Sequence, residues 1–64
     1  MTVYNVVELV ATSSESWEQA ARTAVEQAAK TLRDLRVAEV IAQAVVIEDG
    51  KVPAYRTKVK LSFF

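Results

Sequence analysis

The dipeptide Asp49-Gly50 constrains this chain more than any other feature, because it sits between two long runs of strand-forming residues. Both central positions of a two-residue type I′ turn need positive φ, which Asp and Gly tolerate, so the pair reads as a tight β-hairpin loop. Residues 51–63 alternate strictly. Tyr55, Thr57, Val59, Leu61 and Phe63 fall on one face, and Arg56, Lys58, Lys60 and Ser62 on the other. Residues 36–48 are rich in Val, Ile and Ala and form the partner strand. A two-residue loop sets the expected register: Glu48 faces Lys51, Ala44 faces Tyr55, Ala42 faces Thr57, Val40 faces Val59 and Ala38 faces Leu61. The opposite face then pairs Gln43 with Arg56, Ile41 with Lys58, Glu39 with Lys60 and Val37 with Ser62. Pro53 lacks a ladder donor and is expected at an edge or a bulge.

The first half supplies one more strand and a helix. Residues 3–11 are mostly β-branched and apolar, with Val3, Asn5, Val7 and Leu9 on one face and Tyr4, Val6, Glu8 and Val10 on the other. Both faces are largely apolar, which predicts that both are covered. Thr12-Ser13-Ser14-Glu15 has the spacing of a capping box, with Thr12 or Ser13 as the cap. From there to Asp34 the period becomes helical. Trp17, Ala20, Ala21, Ala24, Val25, Ala28, Leu32 and Leu35 form an apolar stripe, opposite a charged row of Glu18, Arg22, Glu26 and Lys30. The alanines allow a sheet to approach closely. The expected fold is α+β in the order β-α-β-β, a three-stranded antiparallel sheet wrapped around one helix, as a single domain over residues 1–64.

A 64-residue domain buries too little of its surface to be comfortable alone. With no Cys, disulfides and thiolate metal sites are excluded, and with no His the commonest general base is missing. Hydrophobic residues nevertheless make up 52% of the chain, which leaves oligomerisation as the route to stability. A helix of about 20 residues spans about 30 Å and is about 10 Å wide, enough for one face of the sheet and not two. Val37, Ile41, Val45 and Ile47 are expected on the second face, as an interface between copies. Eight basic and eight acidic residues give no overall charge to draw the chain to nucleic acid or to an anionic membrane. No signal peptide or membrane-length apolar run is present, so a soluble cytoplasmic protein is expected. Ser13 and Ser14 have no His to activate them, and no enzymatic activity is expected.

The order and spacing of several strings resemble the dodecin family across nearly the whole chain. These are Ser16-Trp17-Glu18-Gln19-Ala20-Ala21, Arg36-Val37-Ala38-Glu39-Val40, Tyr55-Arg56-Thr57-Lys58-Val59 and the closing Phe63. The resemblance implies a hollow homododecamer built from four trimers, which stores or protects a flavin such as FMN or riboflavin without catalysis. Its flavin site depends on a second-strand Trp that stacks on the ring and a Gln after the third-strand Tyr that hydrogen-bonds its edge. The matching positions here are Val37 and Arg56, so the site is chemically altered; Gln43, facing Arg56 by register, completes the candidate set. Val37 has no π-face, and an Arg can donate but not accept. Part of the family is instead described as calcium-binding, and the helix-opening string resembles that branch. Those relatives tend to carry acidic residues near positions 42 and 44, where this chain has Ala42 and Ala44. Glu15 is the candidate metal ligand, although capping is the preferred account of it. The alternatives to a flavin particle are therefore a calcium-binding particle and a shell without ligand.

Overall fold

The computed structural model describes Val3 and residues 5–63. Strand β1 spans Asn5–Ser13, helix α1 Trp17–Ala28, strand β2 Leu35–Glu48 and strand β3 Lys51–Phe63. The expected β-α-β-β order holds. The sheet is antiparallel throughout, with the long C-terminal strand in the middle in the order β1-β3-β2. The expected placement of Tyr4 lies outside the described residues.

The hairpin turn forms as its chemistry requires. Asp49 and Gly50 both have positive φ, at 51° and 71°, and Glu48 pairs with Lys51. From there the register departs from a uniform ladder. An irregularity between Val46 and Glu48 sits opposite Pro53, which cannot donate to the ladder. A second, between Val40 and Ala42, inserts Ile41 as an extra residue on β2, and a third lies between Leu35 and Val37. The expected pairs Val37–Ser62, Glu39–Lys60, Val40–Val59 and Ala38–Leu61 are present. Between the first two irregularities the ladder is displaced by one residue: Gln43 faces Thr57, Ala42 faces Lys58, Ala44 faces Arg56 and Val45 faces Tyr55. A one-residue displacement moves a side chain to the other side of the sheet, so the expected Gln43–Arg56 and Ala44–Tyr55 pairs do not form.

The helix is shorter than its periodicity predicts. Its N-cap is Ser16, whose hydroxyl accepts from the Gln19 amide at 3.0 Å, and not Thr12 or Ser13. Ser13 Oγ instead closes the preceding turn by accepting from Glu15 N at 3.0 Å. At the far end, Thr31 Oγ1 donates to the Ala28 carbonyl at 3.4 Å and competes with the helical ladder there. Leu32 N reaches the same carbonyl at 2.8 Å. Asp34 then takes a left-handed conformation, with φ 56°, that turns the chain into β2. The apolar stripe continues to Leu32 and Leu35 because both pack on the core after the helix has ended.

That core is small. Ala24 and Ala28 press on Val59 and Leu61, with Val7, Leu9, Ala11, Ala21, Val25, Leu32 and Leu35 packed around them, and Ala20 is buried on the same helix. Buried Thr57 directs its hydroxyl to the Trp17 carbonyl at 2.9 Å, which satisfies the one fully buried polar side chain among the described residues. Ala24→Leu is expected to overpack this contact and lower stability by about 1–3 kcal/mol, read by thermal or denaturant unfolding. Gly50→Val places a β-branched side chain at positive φ. Space is not the obstacle there, since nothing lies within 4 Å of an added Cβ. The expected loss of about 1–3 kcal/mol is backbone strain, and unfolding with an unchanged slope would show it.

Candidate ligand-binding face and assembly surface

The outward face of the sheet is ordered in rows across the three strands. Val6, Ser62 and Val37 form one row, and Glu8, Lys60 and Glu39 the next. Val10, Lys58 and Ala42 form the third, and Thr12, Arg56 and Ala44 the fourth. Lys60 lies between two carboxylates, and Lys58 Nζ is 3.2 Å from Glu8 Oε1. Both ends of that pair are about half exposed, so it contributes at most about 1 kcal/mol. Arg56 is flanked by Thr12 and Ala44 and has no carboxylate in its row. The expected basic row is therefore mostly neutralised at its centre.

Of the three candidate ligand residues, Val37 and Arg56 share this outward face. They stand six residues apart along β3, roughly 20 Å, and do not converge within one copy. Gln43 is not with them. The extra residue at Ile41 puts it opposite Thr57, on the helix side. The same displacement brings Ala42 and Ala44 outward, where a uniform ladder had placed them under the helix. No aromatic side chain stands on the outward face among the described residues: Tyr55 and Phe63 belong to the inner face, and Trp17 is on the helix. Among the described residues, then, the outward face of one copy offers a flavin no aromatic ring to stack on.

Trp17 has a different use. Its Nε1 donates to the Ala44 carbonyl at 2.9 Å, and its ring meets Tyr55 edge-on with centroids 5.0 Å apart. With the Thr57–Trp17 bond, this ties the start of α1 to both strands of the hairpin. A lone Thr among the apolar inner residues of β3 was the sequence signal for this tie, because a buried hydroxyl needs a partner. The alternation pattern carried no signal for the Ile41 insertion, since Val-Ile-Ala reads equally well in either register. Glu15 is exposed, and no group of three acidic residues able to hold a metal occurs among the described residues. A metal site would need ligands from more than one copy.

The largest feature is apolar. The helix lies over β1 and β3 and barely reaches β2. On the helix side Val40 is 48% exposed and Val45 39%; on the outward face Val37 is 59% exposed, with Val6 and Val10 also open. The expectation that one helix would cover one whole face fails, because α1 has 12 residues, about 18 Å, against 14 residues in β2. Beyond the last β1 pair, Ser13–Tyr55, the hairpin continues as a two-stranded arm. Its Ile47 is 69% exposed and its Val52 48%. At the opposite end, Val25, Leu35, Arg36, Val37, Ala38 and Leu61 line an apolar cleft of about 150 Å³.

Known proteins share this arrangement. The dodecin family model matches residues 3–64. The chain belongs to the dodecin family. It is 43% identical over 63 residues to the calcium dodecin of Mycobacterium tuberculosis, covering 98% of this chain and 89% of that protein. A dodecin structure from Streptomyces coelicolor superposes with a TM-score of 0.89 at 43% identity, over 95% of this chain and 87% of that one. A crystal structure of calcium dodecin from M. tuberculosis, described as having a novel calcium-binding site, gives 0.86 at 44% identity, over 97% and 89%. This dodecin thus has the family fold. Replacing Val37 by Trp and Arg56 by Gln is expected to strengthen flavin binding at least tenfold, because a stacking platform contributes about 1–3 kcal/mol per ring. Quenching of riboflavin or FMN fluorescence measures it. Tight binding by the unsubstituted chain would contradict the assignment of Val37 as the missing platform.

Proposed function

We propose that this dodecin is a non-enzymatic, self-assembling particle that holds a small ligand where copies meet, with the twelve-subunit shell of its family as the assembly. The observation that carries this is β2, which is apolar and open on both faces in a single copy. Apolar surface of that extent marks an interface. A non-enzymatic role is supported by a chain without His or Cys and by Ser13, whose hydroxyl serves a backbone turn. Native mass spectrometry tests assembly and ligand together, because it reports subunit number and any retained mass. A twelve-subunit species supports the proposal, and a monomer at micromolar concentration contradicts it.

Calcium is favoured over flavin as the ligand. The mycobacterial relative at 43% identity is called a calcium dodecin, while no stacking residue stands on the outward face among the described residues. Calcium takes six to eight oxygen ligands. The described residues of one copy offer no such cluster, so the carboxylates would be shared between copies, with Glu8, Glu15 and Glu39 as exposed donors. Calcium is then expected to raise the melting temperature of the assembled protein, and to do so less after Glu15→Gln or Glu39→Gln. Calorimetry with calcium that shows no heat, together with an unchanged melting temperature, would remove this ligand.

A further inference from the structure

The two ends of the molecule are complementary. At one end the hairpin arm, residues 46–54, projects past both β1 and the helix. A two-stranded ribbon without a third strand or a helix on it is marginal in water. This one also exposes Ile47, Val52 and Pro53 beside an acidic tip, Glu48-Asp49. At the other end lies the cleft between α1 and the start of β2, with Val25, Leu35, Val37 and Leu61 among its walls. The exposed Arg33 stands two residues before Leu35, at the cleft end. The cleft is concave, apolar and of a size for one or two aliphatic side chains, and the arm offers such side chains on a projection. With every charge counted, Glu48, Asp49 and Lys51 leave the arm tip net negative, and Arg33, Asp34 and Arg36 leave the cleft end net positive.

The arm cannot fill its own cleft. Ile47 and Val37 are ten residues apart on one continuous strand, roughly 33 Å. The occupant must be another molecule, and a second copy of this chain carries the matching shape and charge.

We infer that the hairpin arm of one copy docks in the cleft of the next, with Ile47 and Val52 against Val25, Val37 and Leu61. This is a head-to-tail contact, in which each copy uses a different surface on each side. Such contacts close into rings when the rotation allows and otherwise continue as filaments. It rests on the proposed self-assembly and adds which surfaces meet, leaving the outward sheet face free to form a separate contact.

The chain has no Cys, so introduced thiols report proximity cleanly. Ile47→Cys and Val37→Cys would be co-expressed as separate chains, purified under reduction and then oxidised. A disulfide needs Cα atoms within about 7 Å, so a link within one chain is impossible between these positions. The expected result is a covalent dimer from the mixture and none from either single variant. The doubly substituted chain should give a ladder that stops at the ring size. Thr23→Cys, on the exposed helix surface, is the control partner for Ile47→Cys and should not cross-link. An Ile47→Cys chain that links to itself would mean that the tips meet symmetrically, and would overturn the inference. So would equal linking to Thr23→Cys, or a normal particle by native mass spectrometry with no mixed disulfide; both leave self-assembly standing. An unsubstituted chain that remains monomeric overturns the docking and the proposed assembly together.

Discussion

An alanine-faced helix resting on one strand sets the shape of this protein. Ala20, Ala24 and Ala28 let α1 approach β3 closely enough to bury Thr57, Val59 and Leu61. Close approach requires small side chains, and small side chains bury little area, so the core is well packed and shallow. The helix also stops at Ala28, where Thr31 and Asp34 turn the chain back. What a twelve-residue helix covers is β1 and β3. What remains is β2, fourteen residues of mostly apolar strand with little intramolecular cover past Leu35, ending in a two-stranded arm. The proposed self-association would relieve this imbalance between a short helix and a long hairpin.

Most of the fold was legible in the sequence because its signals are local. Asp49-Gly50 located the turn, strict alternation in β3 assigned its two faces, and the apolar stripe found the helix. The boundaries were less legible where two equivalent signals competed. Ser16-x-x-Gln19 and Thr12-x-x-Glu15 both have capping-box spacing, and the structure uses Ser16 with the Gln19 amide. The stripe runs on through Leu32 and Leu35, which pack on the core without being helical. The register of β2 was readable near its start and at the turn, and not between. The irregularity at Pro53 and the insertion at Ile41 offset one another, so the stretch from Val37 to Val40 and the pair at the turn share one uniform register. Alternation cannot expose such a pair when Val, Ile and Ala fill both faces.

The candidate site suffered most from that blind spot. Val37 and Arg56 were placed on the outward face by parity alone, whereas Gln43 depended on the register through the displaced segment and belongs to the helix side. Ala42 and Ala44 moved outward by the same step. The outward face is therefore less functionalised than the sequence promised: small residues of β2 beside Lys58 and Arg56, a charged band around Lys60, and valines at one end. Such a face suits contact between protein surfaces better than capture of a flat aromatic ligand. It is consistent with a member of this family whose ligand chemistry lies where copies meet.

The central claim is that a single copy is not a stable unit, because β2 and the arm lack cover. A species held together by association melts at a temperature that depends on its concentration, whereas a monomer's does not. Thermal unfolding followed by far-ultraviolet circular dichroism, from roughly 1 to 100 µM chain with sedimentation on the same samples, tests this directly. The account predicts a melting temperature that rises with concentration and a multimer that dissociates as it unfolds. A melting temperature independent of concentration, with a folded monomer at the lowest concentration, would contradict it.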